Sequence, residues 1–203
     1  MPTGTISQTA SVGGLSIQST VTRTETRQIG QEVPLPAANA GTLPTRTGDG
    51  AGTITLEAGH GIQAGDVIDI YWDGGLRYNV TVDTVVGNDI TFDDTPAAAG
   101  DVLPAQDTAV TVSKQTTIDV DFDGDLLKMI VACSTYRSHI QFRDDTPTVL
   151  KAVELPAGEA WSWVSDQGIT NPLAGDPVND VKASNGDSSA AATLKIGALY
   201  DSA

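Results

Sequence analysis

The chain has one cysteine, Cys133, among its 203 residues. It can form no intrachain disulfide, which excludes a small secreted disulfide scaffold and leaves the redox compartment open. Aromatics make up only 5% of the sequence, and its apolar runs fall far short of a membrane-spanning helix. No window of a dozen residues combines a 3.6-residue period with helix caps. The best, Asp125–Ala132 (DLLKMIVA), is short and ends in β-branched residues, so it is read as a strand. The opening MPTGTISQTASVGG has neither the basic start nor the apolar core of a signal peptide. Basic residues are scarce as well: 11 Lys and Arg stand against 26 Asp and Glu, giving a net charge of −15. That balance excludes the basic footprint of a nucleic-acid reader and docking on an anionic membrane, and it favours a soluble surface that does not adhere to DNA.

What is present is strand and turn. Val67 to Phe92 (VIDIYWDGGLRYNVTVDTVVGNDITF) is the clearest stretch. Ile68, Ile70, Trp72, Leu76, Tyr78, Val80 and Val82 share one parity, while Arg77, Asn79, Thr81 and Asp83 are polar. Parity predicts a three-residue loop, Asp73-Gly74-Gly75, with Trp72 opposite Leu76, Ile70 opposite Tyr78 and Ile68 opposite Val80. The same arithmetic at Gly87-Asn88-Asp89 sets Val86 opposite Ile90.

The chain reads as all-β: a β-sandwich with an inserted small SH3-like β-barrel and an extended N-terminal arm. Residues 1–30 are polar, and Val21–Arg27 (VTRTETR) has strand propensity but no apolar face. The expectation is an exposed or mobile tail, or an arm ordered by a neighbouring sheet edge. Residues 31–47 and 113–203 are assigned to the sandwich and 48–112 to the barrel. The echo of Val33-Pro34-Leu35-Pro36-Ala37 in Val153-Glu154-Leu155-Pro156-Ala157 motivates the insertion. Ile54, Leu56, Ile68, Ile70, Trp72, Tyr78, Val80, Val82, Ile90, Phe92, Val110 and Val112 are the expected barrel core. Gln31–Pro44, with three prolines, reads as an irregular connection. A last hairpin is expected to turn at Asn185-Gly186-Asp187.

Few residues suggest chemistry. Asp119, Asp121, Asp123 and Asp125 follow the opening of a calcium loop, with oxygens at alternate positions and Gly124 at the turn. Ile130 stands where the bidentate Glu belongs, so the same run also reads as a strand with its aspartates in water. Trp161 and Trp163, two apart on a strand, form either a platform for a sugar or a partner, or ordinary core. His60 sits in a glycine-flanked loop suited to a turn hydrogen bond. A turn is expected between Cys133 and His139, and no motif with a catalytic mechanism occurs, so no enzyme activity is expected.

Three phrases resemble structural proteins of tailed bacteriophages and prophages: RQIGQEVPLPAANAGTLPTRT (Arg27–Thr47), HGIQAGDVIDIYWDGG (His60–Gly75) and SNGDSSAAATLKIGALYD (Ser184–Asp201). The resemblance implies a repeating virion subunit of the capsid-decoration, head–tail or tail-tube type, made in the host cytoplasm, with no catalytic residues and no cofactor. Its implied partners are copies of itself and other virion proteins, without sequence-specific nucleic-acid binding and without membrane. Val21, Arg23, Glu25, Arg27, Trp161 and Trp163 are the candidate partner-binding residues. The competing reading is an extracellular carbohydrate- or calcium-binding β module.

Overall fold

The computed structural model describes residues 4–12, 15–23, 27–94, 102–146, 148–165, 168–175 and 177–200, with backbone alone for 4–12, 15–23 and 27–29. Among these the architecture is all-β, with a short 3-10 turn at Gly124–Leu126. Asp125–Ala132 is not helical: strand Leu127–Ser134 follows that turn directly.

The chain divides into two compact units, Leu35–Thr116 with Ser184–Ala192, and Met1–Pro34 with Thr117–Ala183 and Thr193–Ala203. The first unit contains β4 (Asn39–Arg46), β5 (Ala51–Leu56), β6 (Val67–Trp72), β7 (Gly75–Thr81), β8 (Thr84–Val86), β9 (Asp89–Asp93) and β10 (Ala109–Lys114). They form one seven-stranded sheet in the order β7-β6-β10-β4-β5-β9-β8. The sheet curls into a half-barrel that brings β7 near β9. Asp83 N donates to Thr91 O at 2.8 Å, and the Arg77 guanidinium donates to Asp49 O at 2.8 Å and Asp94 O at 2.6 Å. Arg77, expected in water, is thus only 3% exposed. Its fork fastens the seam by satisfying two carbonyls at once.

Inside the curl lie Leu43, Ile54, Leu56, Ile62, Ile68, Ile70, Val80, Val82, Ile90, Phe92, Leu103, Val110 and Val112, with Trp72 against them. Tyr78, expected among them, is half-buried and outside this core. Leu43, Ile62 and Leu103 were not expected, because each stands alone among prolines, glycines or polar residues. The span Gln31–Pro44 is more regular than its prolines suggest. Pro44 falls where the β4–β5 register shifts between Thr42 and Thr45, a place where a missing N–H breaks no ladder bond.

The predicted hairpin registers need correction. Trp72 pairs with Gly75 and Tyr71 with Leu76 across a two-residue turn, Asp73-Gly74, in which Gly74 has φ +82°. The Ile68–Val80 pair holds because a register shift between Ile68 and Ile70 restores the parity that the shorter turn loses. Asn79, at φ +59°, takes up that shift, and its N–H donates to Asp69 Oδ1 at 3.1 Å. At the next turn Gly87 has φ +63°, so Gly87-Asn88 is again a two-residue turn. Val85, not Val86, opposes Ile90, and Val86 is 74% exposed.

The second unit holds two four-stranded sheets. One runs β11 (Thr116–Asp123), β16 (Pro177–Asn185), β13 (Ser138–Arg143), β14 (Val149–Leu155). The other runs β15 (Ala160–Val164), β12 (Leu127–Ser134), β17 (Ala192–Tyr200), β3 (Arg27–Leu35). Ile118, Val120 and Phe122 of β11 are buried. Ring contacts join the sheets: Phe122 stacks on Tyr200 at 5.6 Å, and Phe142 meets Trp161 at 5.8 Å. β3 is a sheet edge, which accommodates Pro34.

β16 and β17 are not the expected hairpin, because they lie in different sheets. Their connection, Ser184–Ala192, belongs to the barrel unit. Asn185 Nδ2 donates to Pro36 O at 3.1 Å and to Ala190 O at 2.8 Å, while Thr111 Oγ1 donates to Gly186 O at 2.7 Å. Buried amide bonds of this kind outweigh the simple hairpin turn that the Asn-Gly pair suggests.

The N-terminal strands β1 (Gly4–Val12) and β2 (Leu15–Arg23) form a two-stranded antiparallel sheet of their own. The register pairs Ile6 with Val21, Ala10 with Ile17 and Val12 with Leu15. Partners opposite one another and residues of like parity share a face, so these six apolar positions fall on one side. The other side carries Thr5/Thr22, Ser7/Thr20, Thr9/Gln18 and Ser11/Ser16. The first side also carries the pairs Gly4/Arg23 and Gln8/Ser19, so three of its five pairs are apolar.

Candidate functional site

Asp119, Asp121 and Asp123 alternate with the buried Ile118, Val120 and Phe122, and all three are exposed on β11. Alternation on an extended strand sets these carboxylates in a straight row on one face, Cα atoms about 7 Å apart, rather than around a loop. Asp123 caps the 3-10 turn instead, its Oδ1 accepting from Asp125 N at 2.9 Å. Asp125 Oδ1 accepts from Gly175 N at 2.9 Å. Among the described residues no group of three or more His, Cys, Asp or Glu side chains is placed to hold a metal.

Trp161 and Trp163 both turn into the sandwich. Trp163 is 6% exposed and its indole N–H donates to Ile169 O at 3.0 Å; Trp161 lies half-buried on Phe142. The two indoles fill the layer between the sheets and present no flat platform. Val21 and Arg23 occupy β2 positions opposite Ile6 and Gly4, and Arg27 opens β3. Glu25, and the side chains of Val21, Arg23 and Arg27, lie outside the described residues.

His60 pins its loop. Its Nδ1 accepts from Ile62 N at 3.1 Å, leaving Nε2–H to point at Gly87 O, 3.4 Å away. It borders a recess of about 330 Å³ whose rim also includes Asn39, Lys114 and Gln115. The polar groups there already have work within the fold. Asn39 Nδ2 donates to Val112 O at 3.3 Å, Lys114 pairs with Asp66 at 2.9 Å, and Gln115 Nε2 donates to Asp69 Oδ1 and Asn79 Oδ1, both at 2.8 Å. Cys133 and His139 lie on β12 and β13, in different sheets of the sandwich.

The most developed polar constellation is one that sequence parity hides. Asp69, fully buried, accepts from Asn79 N, Gln115 Nε2 and the Ser184 hydroxyl. Ser184 Oγ lies 2.6 Å from the Tyr71 hydroxyl, and a Cβ on Gly186 would come within 2.7 Å of the Tyr71 ring. Asp69 and Tyr71 thus bind the Ser184–Ala192 segment to the barrel. The chemistry is that of a structural clasp: a buried acceptor saturated by donors of its own chain. The signal that could have found it is Asp69 itself, an acid inside the apolar run Val67–Trp72.

Two carboxylates have pKa values below the ordinary range. The Ser189 hydroxyl, followed by the Ser189 and Ala190 amides, holds Asp187 low against a smaller effect of burial. At Asp144 burial pushes up, but hydrogen bonds from Thr148 and Thr146 together outweigh it. Both are turn-forming carboxylates accepting several donors, as in Asx turns.

No family model matches the chain, and no curated protein matches it. Among solved structures it is similar to a chain of "Structure of infectious bursal disease virus Gx strain", with a TM-score of 0.21 and 12% identity over 98% of this chain. It spans 65% of that chain. A likeness at that score carries no argument about role. Among the described residues no helix is long and apolar enough to cross a membrane.

Proposed function

We propose that the protein is a repeating structural subunit of a tailed-phage virion, binding neighbouring copies and other virion proteins to build or stabilise the particle. The carrying observation is the β1–β2 hairpin, two nine-residue strands that pair with each other and with no other described strand. A lone two-stranded sheet is marginal in water and gains stability from further strands or a packed face. Repeating subunits supply such covers to one another. The three phrases that resemble phage structural proteins give the virion its place in this reading. The acidity suits a surface that stays clear of DNA. Saturated polar constellations, such as those at Asp69 and His60, suit a subunit whose polar groups serve its own rigidity.

Negative-stain microscopy of the concentrated protein, alone and mixed with tailed-phage heads and tails, tests the proposal. Regular assemblies or decorated particles are expected. A protein that decorates no particle and forms no ordered array at high concentration overturns it.

A further inference from the structure

We propose that the recess beside His60 is a binding site for a small neutral polyol, about the size of one sugar ring. All of its lining residues belong to the barrel unit, within Leu35–Thr116. The inference goes beyond the subunit reading and does not depend on it.

The lining has hydrogen-bonding capacity that the fold leaves unused. Ser113 is 3% exposed, yet its hydroxyl makes a single long bond, donated to the Lys114 carbonyl at 3.4 Å. A buried hydroxyl whose lone pairs are open is costly unless a partner comes to it. Gln115 and Asn39 use their amide N–H groups within the chain, on Asp69 and Asn79 and on the Val112 carbonyl. Those bonds fix which end of each amide is the oxygen, and they leave both oxygens as acceptors. Thr116 adds a second hydroxyl to the same lining.

Charge decides the class of ligand. Lys114 is paired with Asp66 at 2.9 Å, and His60 Nδ1 accepts from Ile62 N, so the rim carries no net charge to hold an ion. A chain at −15 repels anions, and a cation would meet the Lys114 ammonium. Among the described residues of the lining there is no aromatic ring, so a flat aromatic ligand has nothing to stack on. What remains is a neutral compound with several hydroxyls. Each can donate to the open oxygens or accept from the Lys114 ammonium, while the C–H groups rest on Pro36 and Ala37.

Size limits the ligand. A recess of about 330 Å³ lies at the lower end of the range for small-molecule sites, which admits one ring and not a chain of several. So few anchors bind weakly, with dissociation on the order of millimolar.

The test is an NMR titration of the full-length, isotope-labelled chain with glucose, galactose and N-acetylglucosamine, with acetate and methylammonium as charged probes. At least one sugar is expected to shift the amide signals of residues 37–39, 60 and 113–116 and to leave the rest of the barrel unmoved. Ala37→Trp, at the exposed rim, should block the recess and abolish the shifts, whereas Ile169→Trp, at an exposed position of the other unit, should leave them. Ser113→Ala, which removes one hydroxyl and no more, should weaken binding about five- to tenfold. Sugars at about 100 mM that move none of these signals overturn the inference. So do shifts that survive Ala37→Trp, unchanged affinity in Ser113→Ala, or a stronger response to acetate or methylammonium than to every sugar.

Discussion

Two antiparallel hairpins in this chain are made alike and held differently. β6–β7 and β1–β2 are both antiparallel pairs of neighbouring strands. β6–β7 continues into β10 and the rest of a seven-stranded sheet, and its Ile68, Ile70 and Val80 are fully buried. Among the described residues β1–β2 has no third strand. Antiparallel pairing is thus common to both, and what separates them is the number of described partner strands. A hairpin gains most of its stability from neighbours that bury its face, at roughly 25 cal/mol for each Å² of apolar surface removed from water. The chain completes that burial for one hairpin within its own fold. For the other, the proposed source is a neighbouring subunit.

The comparison breaks most visibly at Asp69. Asp69→Ala leaves the Asn79 amide, the Gln115 amide and the Ser184 hydroxyl facing a buried site with no carboxyl to accept them. The expected cost is about 3 kcal/mol, read as a fall of about 10 °C in melting temperature. A change of under 2 °C would show that the clasp contributes little.

A smaller effect lies at Asp187, in the segment that this clasp holds. Its carboxyl is held low when folded, so its contribution is fully present above the unfolded value of about 3.9 and is lost as pH falls through the folded value. Amides at Ser189 and Ala190 should therefore exchange faster as pH drops below about 4, after correction for intrinsic rates. Asp187→Asn, which keeps an acceptor but does not titrate, should flatten that step. An unchanged step in the variant would assign it to another group.

The smallest expected effect sharpens the contrast from the other side. Ile17→Asp should shift the melting of the dilute protein by less than about 0.5 kcal/mol, because the β1–β2 sheet is separate from the sheets of the two cores. A loss of 2 kcal/mol or more, measured by chemical denaturation at micromolar concentration, would mean that the hairpin is covered by its own subunit.

Much of the strand content was legible in the sequence, because a period of two needs no knowledge of neighbours. Ile54, Leu56, Ile68, Ile70, Val80, Val82, Ile90, Phe92, Val110 and Val112 were all placed in the barrel core by alternation, and all lie there. Register was less legible. A bulge changes parity without changing composition, so the shift at Asp69 and Asn79 left Ile68–Val80 correct and moved Trp72 and Ile70 by one partner. Contacts distant in sequence were invisible: nothing local to Ser184 says that Tyr71 and Asp69 hold it. The candidate site was half visible. Gly13-Gly14 is a hairpin signal, and Leu15, Ile17 and Val21 share parity, but each strand supplies only three apolar residues. Only the register adds them into a face.

The clasp at Tyr71 and Ser184 joins residues 113 positions apart, and this has a consequence for how the protein is made. The barrel strands finish leaving the ribosome long before the piece that completes their unit, and at ordinary elongation rates the gap is roughly 5–15 s. Throughout that interval Asp69 has Asn79 and Gln115 but not yet Ser184, the residue that also meets the Tyr71 hydroxyl. Messages cut short before residue 184 therefore yield a barrel with its polar interior open, so C-terminal truncations should reach proteases and chaperones as unfinished barrels as well as unfinished sandwiches.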